Sequence, residues 1–205
     1  MDGIIFDLDG TLWDSTEKVA VAWNEVLQEQ GITYLDVTVP LLKSLFGQTL
    51  PAIAAAMLPD VSESQRLQLL KLCCQREHEI LAREGSPLYP HLEETLKYLV
   101  AKYPLFIVSN CQAGYIELFL ELTRLGSYFK DHLCPGDTGN GKADNIREIV
   151  ARNQLKSPVY VGDTSGDHQA CLDANVPFVH ATYGFGQTTN ANFQINGLND
   201  LTKLF

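Results

Sequence analysis

Apolar and polar positions along the chain change rhythm as it proceeds. Gly3-Ile4-Ile5-Phe6-Asp7-Leu8 is a short, nearly continuous apolar run ended by Gly10, the pattern of a strand buried on both faces. From Ser15 the period becomes helical. Val19, Ala22, Trp23, Val26 and Leu27 share one face, Ser15 is the expected N-cap, and Gly31 is the stop. Further helices are predicted over 38–46, 50–58 and 62–83, punctuated by Gly47, Pro51 and Pro59, with no convincing strand between 36 and 84. Gly85-Ser86-Pro87 reads as a linker.

After that linker the rhythm alternates. Helices are predicted near 91–102, 114–125, 142–153 and 166–173, and strands near 105–109, 132–134, 159–162 and 178–181. Such alternation predicts an α/β protein whose parallel sheet is covered on both faces. Right-handed crossovers then give a Rossmann-like three-layer α/β/α sandwich. The all-helical stretch interrupts this order after the first strand. It is expected to be an inserted α-helical cap domain spanning 16–85, with 1–15 and 86–205 forming the Rossmann-like core domain.

Composition narrows the function. The chain has 205 residues, 45% of them apolar, enough for a real core. Its formal net charge of -10 excludes a nucleic-acid backbone as an expected partner, because binding phosphates in series needs a basic face. A small anion is still compatible, since a bound cation reverses the field inside one pocket. Cys73, Cys74, Cys111, Cys134 and Cys171 form no C-x-x-C pair and no zinc spacing, so reduced thiols are expected. No apolar run approaches the ~20 residues that span a bilayer, and no basic-then-apolar leader precedes the first strand. A cytoplasmic protein with no membrane partner is the expectation.

Ligands of parallel α/β sheets bind beyond the carboxyl ends of the strands. There the sequence places Asp7-Leu8-Asp9-Gly10-Thr11, Ser109-Asn110, Lys142, and Gly162-Asp163-Thr164-Ser165-Gly166-Asp167. Clustered carboxylates are costly to bury without a cation, so Asp7, Asp163 and Asp167 suggest a hard-cation site. A few carboxylates beside an anionic substrate suit Mg²⁺. Thr11, Ser109 and Lys142 supply the donors and the positive charge that a phosphoryl oxygen needs. Competing motifs fit worse. As a calcium loop, 163–174 has His168 where Gly is needed and Ala174 where Glu is needed. Gly136-Asp137-Thr138-Gly139-Asn140-Gly141-Lys142 matches the start of a phosphate-binding loop, but Ala143 lacks the hydroxyl such loops give to Mg²⁺.

Taken in order, these four segments resemble the signature motifs of the haloacid dehalogenase superfamily, and the stretch between the first two resembles its helical-cap branch, which includes phosphoglycolate phosphatases. The resemblance implies a Mg²⁺-dependent phosphomonoester hydrolase. Asp7 would be the nucleophile that forms an aspartyl-phosphate, and Asp9 the acid and base. Thr11, Ser109, Asn110 and Lys142 would bind or orient the phosphoryl group. Asp7, the Asp9 main-chain carbonyl, Asp163 and Asp167 would hold the metal. A second aspartate at position 9 favours phosphate esters over carbon–halogen bonds. The implied substrate is a small phosphorylated metabolite, phosphoglycolate-like as a first guess. The alternative, a phosphomutase of the β-phosphoglucomutase type, lacks its His past the nucleophile loop, where Trp13, Asp14 and Ser15 stand. Lys142-Ala143 also departs from the Lys-Pro of many relatives. Phe46-Gly47-Gln48-Thr49 interrupts the helices and reads as a simple turn ahead of the alternative, a segment that faces the site and contacts substrate; Cys111 reads as a packing or solvent-facing residue, and Tyr183-Gly184-Phe185-Gly186 as a loop at the edge of the site.

Overall fold

A computed structural model describes residues 1–205. Its centre is the apolar run foreseen near the start of the chain, β1 (Gly3–Phe6), every residue of which is buried. Four helices follow: α1 (Thr16–Glu29), α2 (Val39–Leu45), α3 (Leu50–Met57) and α4 (Glu63–Glu84). The chain then alternates through α5 (Leu92–Val100), β2 (Leu105–Val108), α6 (Tyr115–Thr123), β3 (Phe129–Leu133), α7 (Pro135–Thr138), α8 (Lys142–Arg152), β4 (Pro158–Gly162), α9 (Ser165–Ala174) and β5 (Phe178–Ala181). It closes with β6 (Phe193–Ile195) and α10 (Leu201–Leu204).

All six strands are parallel, in the order β3-β2-β1-β4-β5-β6. Side chains alternate across the sheet as the period of two requires. Ile4, Phe6, Leu105, Ile107, Val159, Val161 and Val179 pack on one face with α5, α6 and α10. Ile5, Phe106, Val108, Tyr160 and Phe178 pack on the other with α8 and α9. The result is the predicted α/β/α sandwich. Helices α1 to α4 gather a third apolar cluster of their own, in which Val19, Trp23, Val26 and Leu27 meet Leu42, Ile53, Leu69 and Ile80. The α1–α4 pair carries most of this contact, because each presents one apolar stripe to the other. No helix is long and apolar enough to cross a membrane.

Local differences from the sequence reading have plain causes. β6 is unforeseen, being only three residues long with Phe193 and Gln194 exposed, too short for alternation to register. The Gly-rich segment before Lys142 contains a helical turn, α7, of which Pro135 is the first residue. Ser15 stands at the N-cap of α1 but does not cap it. Its backbone is α-helical rather than extended, and its hydroxyl donates to the Asp9 carboxylate instead. Asp14 takes over the cap, with Oδ1 accepting from Thr16 N at 3.1 Å.

Chain order sets where a ligand would sit. From β1 the sheet grows through β2 to β3, and then the chain returns to the other side of β1 with β4. The crevice beyond the carboxyl ends of β1 and β4 is therefore the switch point of the sheet. Asp7 follows β1 and Asp163 follows β4, and Asp7 N donates to Val161 O at 2.8 Å, which ties the two ends together.

Candidate functional site

At that crevice the carboxylates of Asp7, Asp163 and Asp167 come within 4.8 Å of one another, all buried. Asp167 is fixed by the start of α9. Thr164 Oγ1 accepts from Asp167 N at 3.1 Å, and Asp167 Oδ2 accepts from Thr164 N at 3.0 Å, a reciprocal capping box. Asp163 is fixed by its surroundings. Its Oδ2 accepts from Phe185 N at 2.6 Å, so the 183–186 loop reaches the site itself rather than only its rim. Gly10, at φ 86°, and Gly184 both crowd Asp163, and a methyl group at either would overlap its side chain.

Lys142, the first residue of α8, reaches this group from the opposite side. Its ammonium donates to Asp7 Oδ1 at 2.7 Å and to Asp167 Oδ1 at 2.5 Å, with all three side chains buried. Three carboxylates thus face one ammonium. Burial pushes Asp7 up to about 6, with Asp167 adding to the rise and Lys142 opposing it. Asp163 is raised well above the carboxylate range by burial and by Asp167 and Asp7. Burial also works on Asp167, but the Lys142 ion pair and the Thr164 bonds outweigh it and hold its carboxyl low. Lys142 is desolvated as well, yet Asp167 and Asp7 keep its ammonium firmly protonated. One ammonium leaves this group short of positive charge, and hard carboxylate oxygens at this spacing fit a divalent cation.

The other expected residues divide. Ser109 is buried and lines a small pocket, about 40 Å³, together with Asp7, Asp9, Asn110 and Lys142. Thr11 does not line that pocket. It is wholly buried, and its hydroxyl lies 3.5 Å from Asp163 Oδ1, on the carboxylate side. The Asp9 side chain turns away from the three carboxylates, and its Oδ1 accepts from Ser15 and, at 3.1 Å, from Tyr115. Burial raises Asp9 to about 8, with Asp7 and Glu77 adding to the rise. Asn110 Nδ2 donates to Gly47 O at 2.9 Å, so the residue after the second motif touches the inserted helices.

That contact shows what the sequence reading missed. Phe46, Gly47 and Gln48 line the pocket, the less expected of their two readings, and so do Trp23, Leu50, Ile53, Gln112 and Tyr115, which carried no such expectation. So does Glu77, a buried acid in the middle of α4. Its carboxylate accepts from Trp23 Nε1 at 2.9 Å and Gln112 Nε2 at 2.8 Å, and burial raises it to about 7. A signal was present, since Leu69, Cys73 and Ile80 mark the buried stripe of α4 and Glu77 interrupts it. Cys111 is buried in the lining of the pocket and burial pushes its thiol far up, which disfavours the thiolate a nucleophile needs.

The sequence profile of the haloacid dehalogenase-like hydrolases matches residues 4–181. Phosphoglycolate phosphatase of Escherichia coli O157:H7 is 29% identical over an alignment covering 89% of this chain and 82% of that protein. Its counterpart in Salmonella typhimurium is 26% identical with the same coverage. A haloacid dehalogenase-like hydrolase from Streptococcus pneumoniae shares the fold at a TM-score of 0.88 and 20% identity, over 100% of this chain and 98% of that one. A protein from Haemophilus somnus, titled a predicted phosphoglycolate phosphatase, shares it at 0.85 and 21%, over 100% and 97%. The chain belongs to the haloacid dehalogenase-like hydrolase family. Within that family it is an enzyme of the phosphatase kind.

Proposed function

We propose that the chain is a Mg²⁺-dependent phosphomonoesterase that works through an aspartyl-phosphate on Asp7. One observation carries this reading above the others: Asp7, Asp163 and Asp167 lie within 4.8 Å of one another, with only the Lys142 ammonium paired to them. The side chains of Asp7, Asp163 and Asp167 and the main-chain carbonyl of Asp9 would hold Mg²⁺, which would offset charge on the phosphoryl oxygens. The Asp7 carboxylate attacks phosphorus while the bond from phosphorus to the leaving oxygen breaks. Asp9 protonates that oxygen. It then takes a proton from the water that attacks the phosphoaspartate, releasing phosphate and restoring Asp7. Burial suits Asp9 to the acid role, because a carboxyl raised to about 8 keeps its proton near neutral pH. Ser15 and Tyr115 both donate to Oδ1, so Oδ2 is left to carry that proton. Ser109 and Lys142 orient and neutralise the transferring group.

Residues 16–85 act as the cap in this reading and 1–15 with 86–205 as the catalytic core. The two meet at the Asn110–Gly47 and Gln112–Glu77 hydrogen bonds. Closure over so small a pocket suits a small organic phosphate and excludes bulk water during the first step. The names of the relatives make a two-carbon phosphate the first candidate, and they do not favour the phosphomutase alternative. A panel of small phosphate monoesters, assayed for phosphate release with and without Mg²⁺, tests the reading. Release that needs the metal is expected, and silence across the whole panel would remove it.

Metal binding also has a signature independent of turnover. Asp7, Asp9 and Asp163 have folded-state values above the ordinary carboxylate value of 3.8. The folded protein therefore holds protons that the unfolded chain has lost, and metal-free stability falls as pH rises from about 4 to about 8. Mg²⁺ competes with the protons on Asp7 and Asp163, so it should raise the melting temperature more at about pH 8 than at about pH 5. At a hundredfold excess over its dissociation constant the stabilisation is about 2.7 kcal/mol. Equal shifts at both pH values would argue against a site built on these carboxylates.

A further inference from the structure

The substrate end of the pocket carries charge of the wrong sign for a carboxylate. Among the fifteen residues that line it, Lys142 is the one cation, and it belongs to the phosphoryl end, bound to Asp7 and Asp167. On the side formed by the inserted helices the lining residues are Trp23, Phe46, Gly47, Gln48, Leu50, Ile53 and Glu77, and the single charged group there is an acid. Lys71 lines the adjoining cleft but not this pocket. Of the indole and amide N–H donors lining the pocket, Trp23 Nε1 and Gln112 Nε2 are turned onto Glu77 and Asn110 Nδ2 onto Gly47 O, which leaves the neutral Gln48 amide.

Glu77 nevertheless keeps acceptor capacity. A carboxylate offers about four acceptor positions, and the structure fills one on each oxygen. We infer that Glu77 selects phosphate esters whose leaving group carries a hydrogen-bond donor, a hydroxyl or an ammonium, and selects against those that carry a carboxylate. The inference rests on the phosphomonoesterase reading and deepens it. A donor-bearing leaving group would complete the Glu77 hydrogen bonds. A carboxylate would meet a like charge in a desolvated pocket with no cation to hold it, which costs transition-state binding. The chemistry disagrees with the phosphoglycolate-like substrate suggested by the relatives' names, even though the reaction type is the same.

Four two-carbon phosphates separate these outcomes, because they differ in little but the distal group: ethyl phosphate, 2-hydroxyethyl phosphate, phosphoethanolamine and phosphoglycolate. They are compared by kcat/KM on the wild-type enzyme with Mg²⁺, above the pH of about 7 at which Glu77 ionises. The hydroxyl or the ammonium compound should exceed phosphoglycolate by at least about tenfold, and the better of the two identifies the donor. Glu77→Gln should shrink that ratio by at least about tenfold, and the ratio is the readout because Glu77 also acts on Asp9 and so on every ester alike. Gln112 can flip its amide to accept from Gln at position 77, so the fold should hold, and melting the variant checks this. The wild-type ranking needs no variant and decides the matter alone. Phosphoglycolate as the best of the four overturns the selection by Glu77 but leaves the phosphatase standing. Failure to hydrolyse any of the four, or acetyl phosphate beside them, overturns both.

Discussion

Asp7→Asn is expected to lower phosphate release by at least about four orders of magnitude and to leave the fold intact. The loss follows from chemistry, since a neutral amide oxygen is a poor nucleophile for phosphorus and a poor ligand for a hard cation. The survival of the fold follows from electrostatics. Asp7 is raised to about 6, so its ionised form is disfavoured in the folded protein relative to the unfolded chain. Removing that charge lets Lys142 serve the two remaining carboxylates. The metal-free variant should therefore melt no lower than the wild type at about pH 8, where the crowding of charge is worst. Nucleophile and ligand roles are then separated by trapping. Acid-quenched single turnovers with labelled acetyl phosphate should leave label on the wild-type chain and none on the variant. Wild-type protein that turns over without ever carrying label would remove Asp7 as nucleophile even if the variant is dead.

What the sequence revealed and what it hid divide along a physical line. The sheet was legible because parallel strands buried on both faces leave short unbroken apolar runs, and the helices between them keep a steady period. Asp7, Ser109, Lys142, Asp163 and Asp167 were legible for a related reason. Each sits just past a strand or at the start of the next helix, where topology alone brings separate segments to one edge. Glu77, Trp23, Gln112 and Tyr115 were not legible. They reach the pocket from helix faces or from the loop after β2, and which turn of a helix faces a crevice depends on how two packed units lie together. Thr11 shows the same limit within a motif. Its position was read correctly beside the first strand, but the direction of its hydroxyl, toward Asp163 and not into the pocket, is set by the turn at Gly10 and by the close approach of Gly184. Ser15 was read from local propensity, and a carboxylate only six residues away in sequence drew its hydroxyl from the helix end.

Lys142→Met should be the most destabilising of the substitutions considered, and its pH dependence should reveal why. The methionine keeps most of the apolar stem and roughly the volume, so packing changes little. What disappears is the one positive charge among three buried carboxylates. Removing one partner of a buried ion pair costs about 3–5 kcal/mol, because the other is left uncompensated. Asp167 carries the sign. Its carboxyl is now held below 3.8, with Lys142 outweighing burial, so it contributes stability above that pH and loses it as pH falls through its folded value. Without Lys142 only the Thr164 bonds oppose the burial that already raises Asp163. The deficit should then be greatest near pH 8 and shrink toward about pH 4, as the carboxylates take up protons. Mg²⁺ should restore part of the deficit at the higher pH, since it supplies positive charge to the same oxygens. Turnover should stay low by about two to three orders of magnitude, because the lost ammonium also serves the phosphoryl group. A deficit that does not vary with pH would mean that Lys142 matters through packing, and the charge balance inferred for the crevice would be wrong.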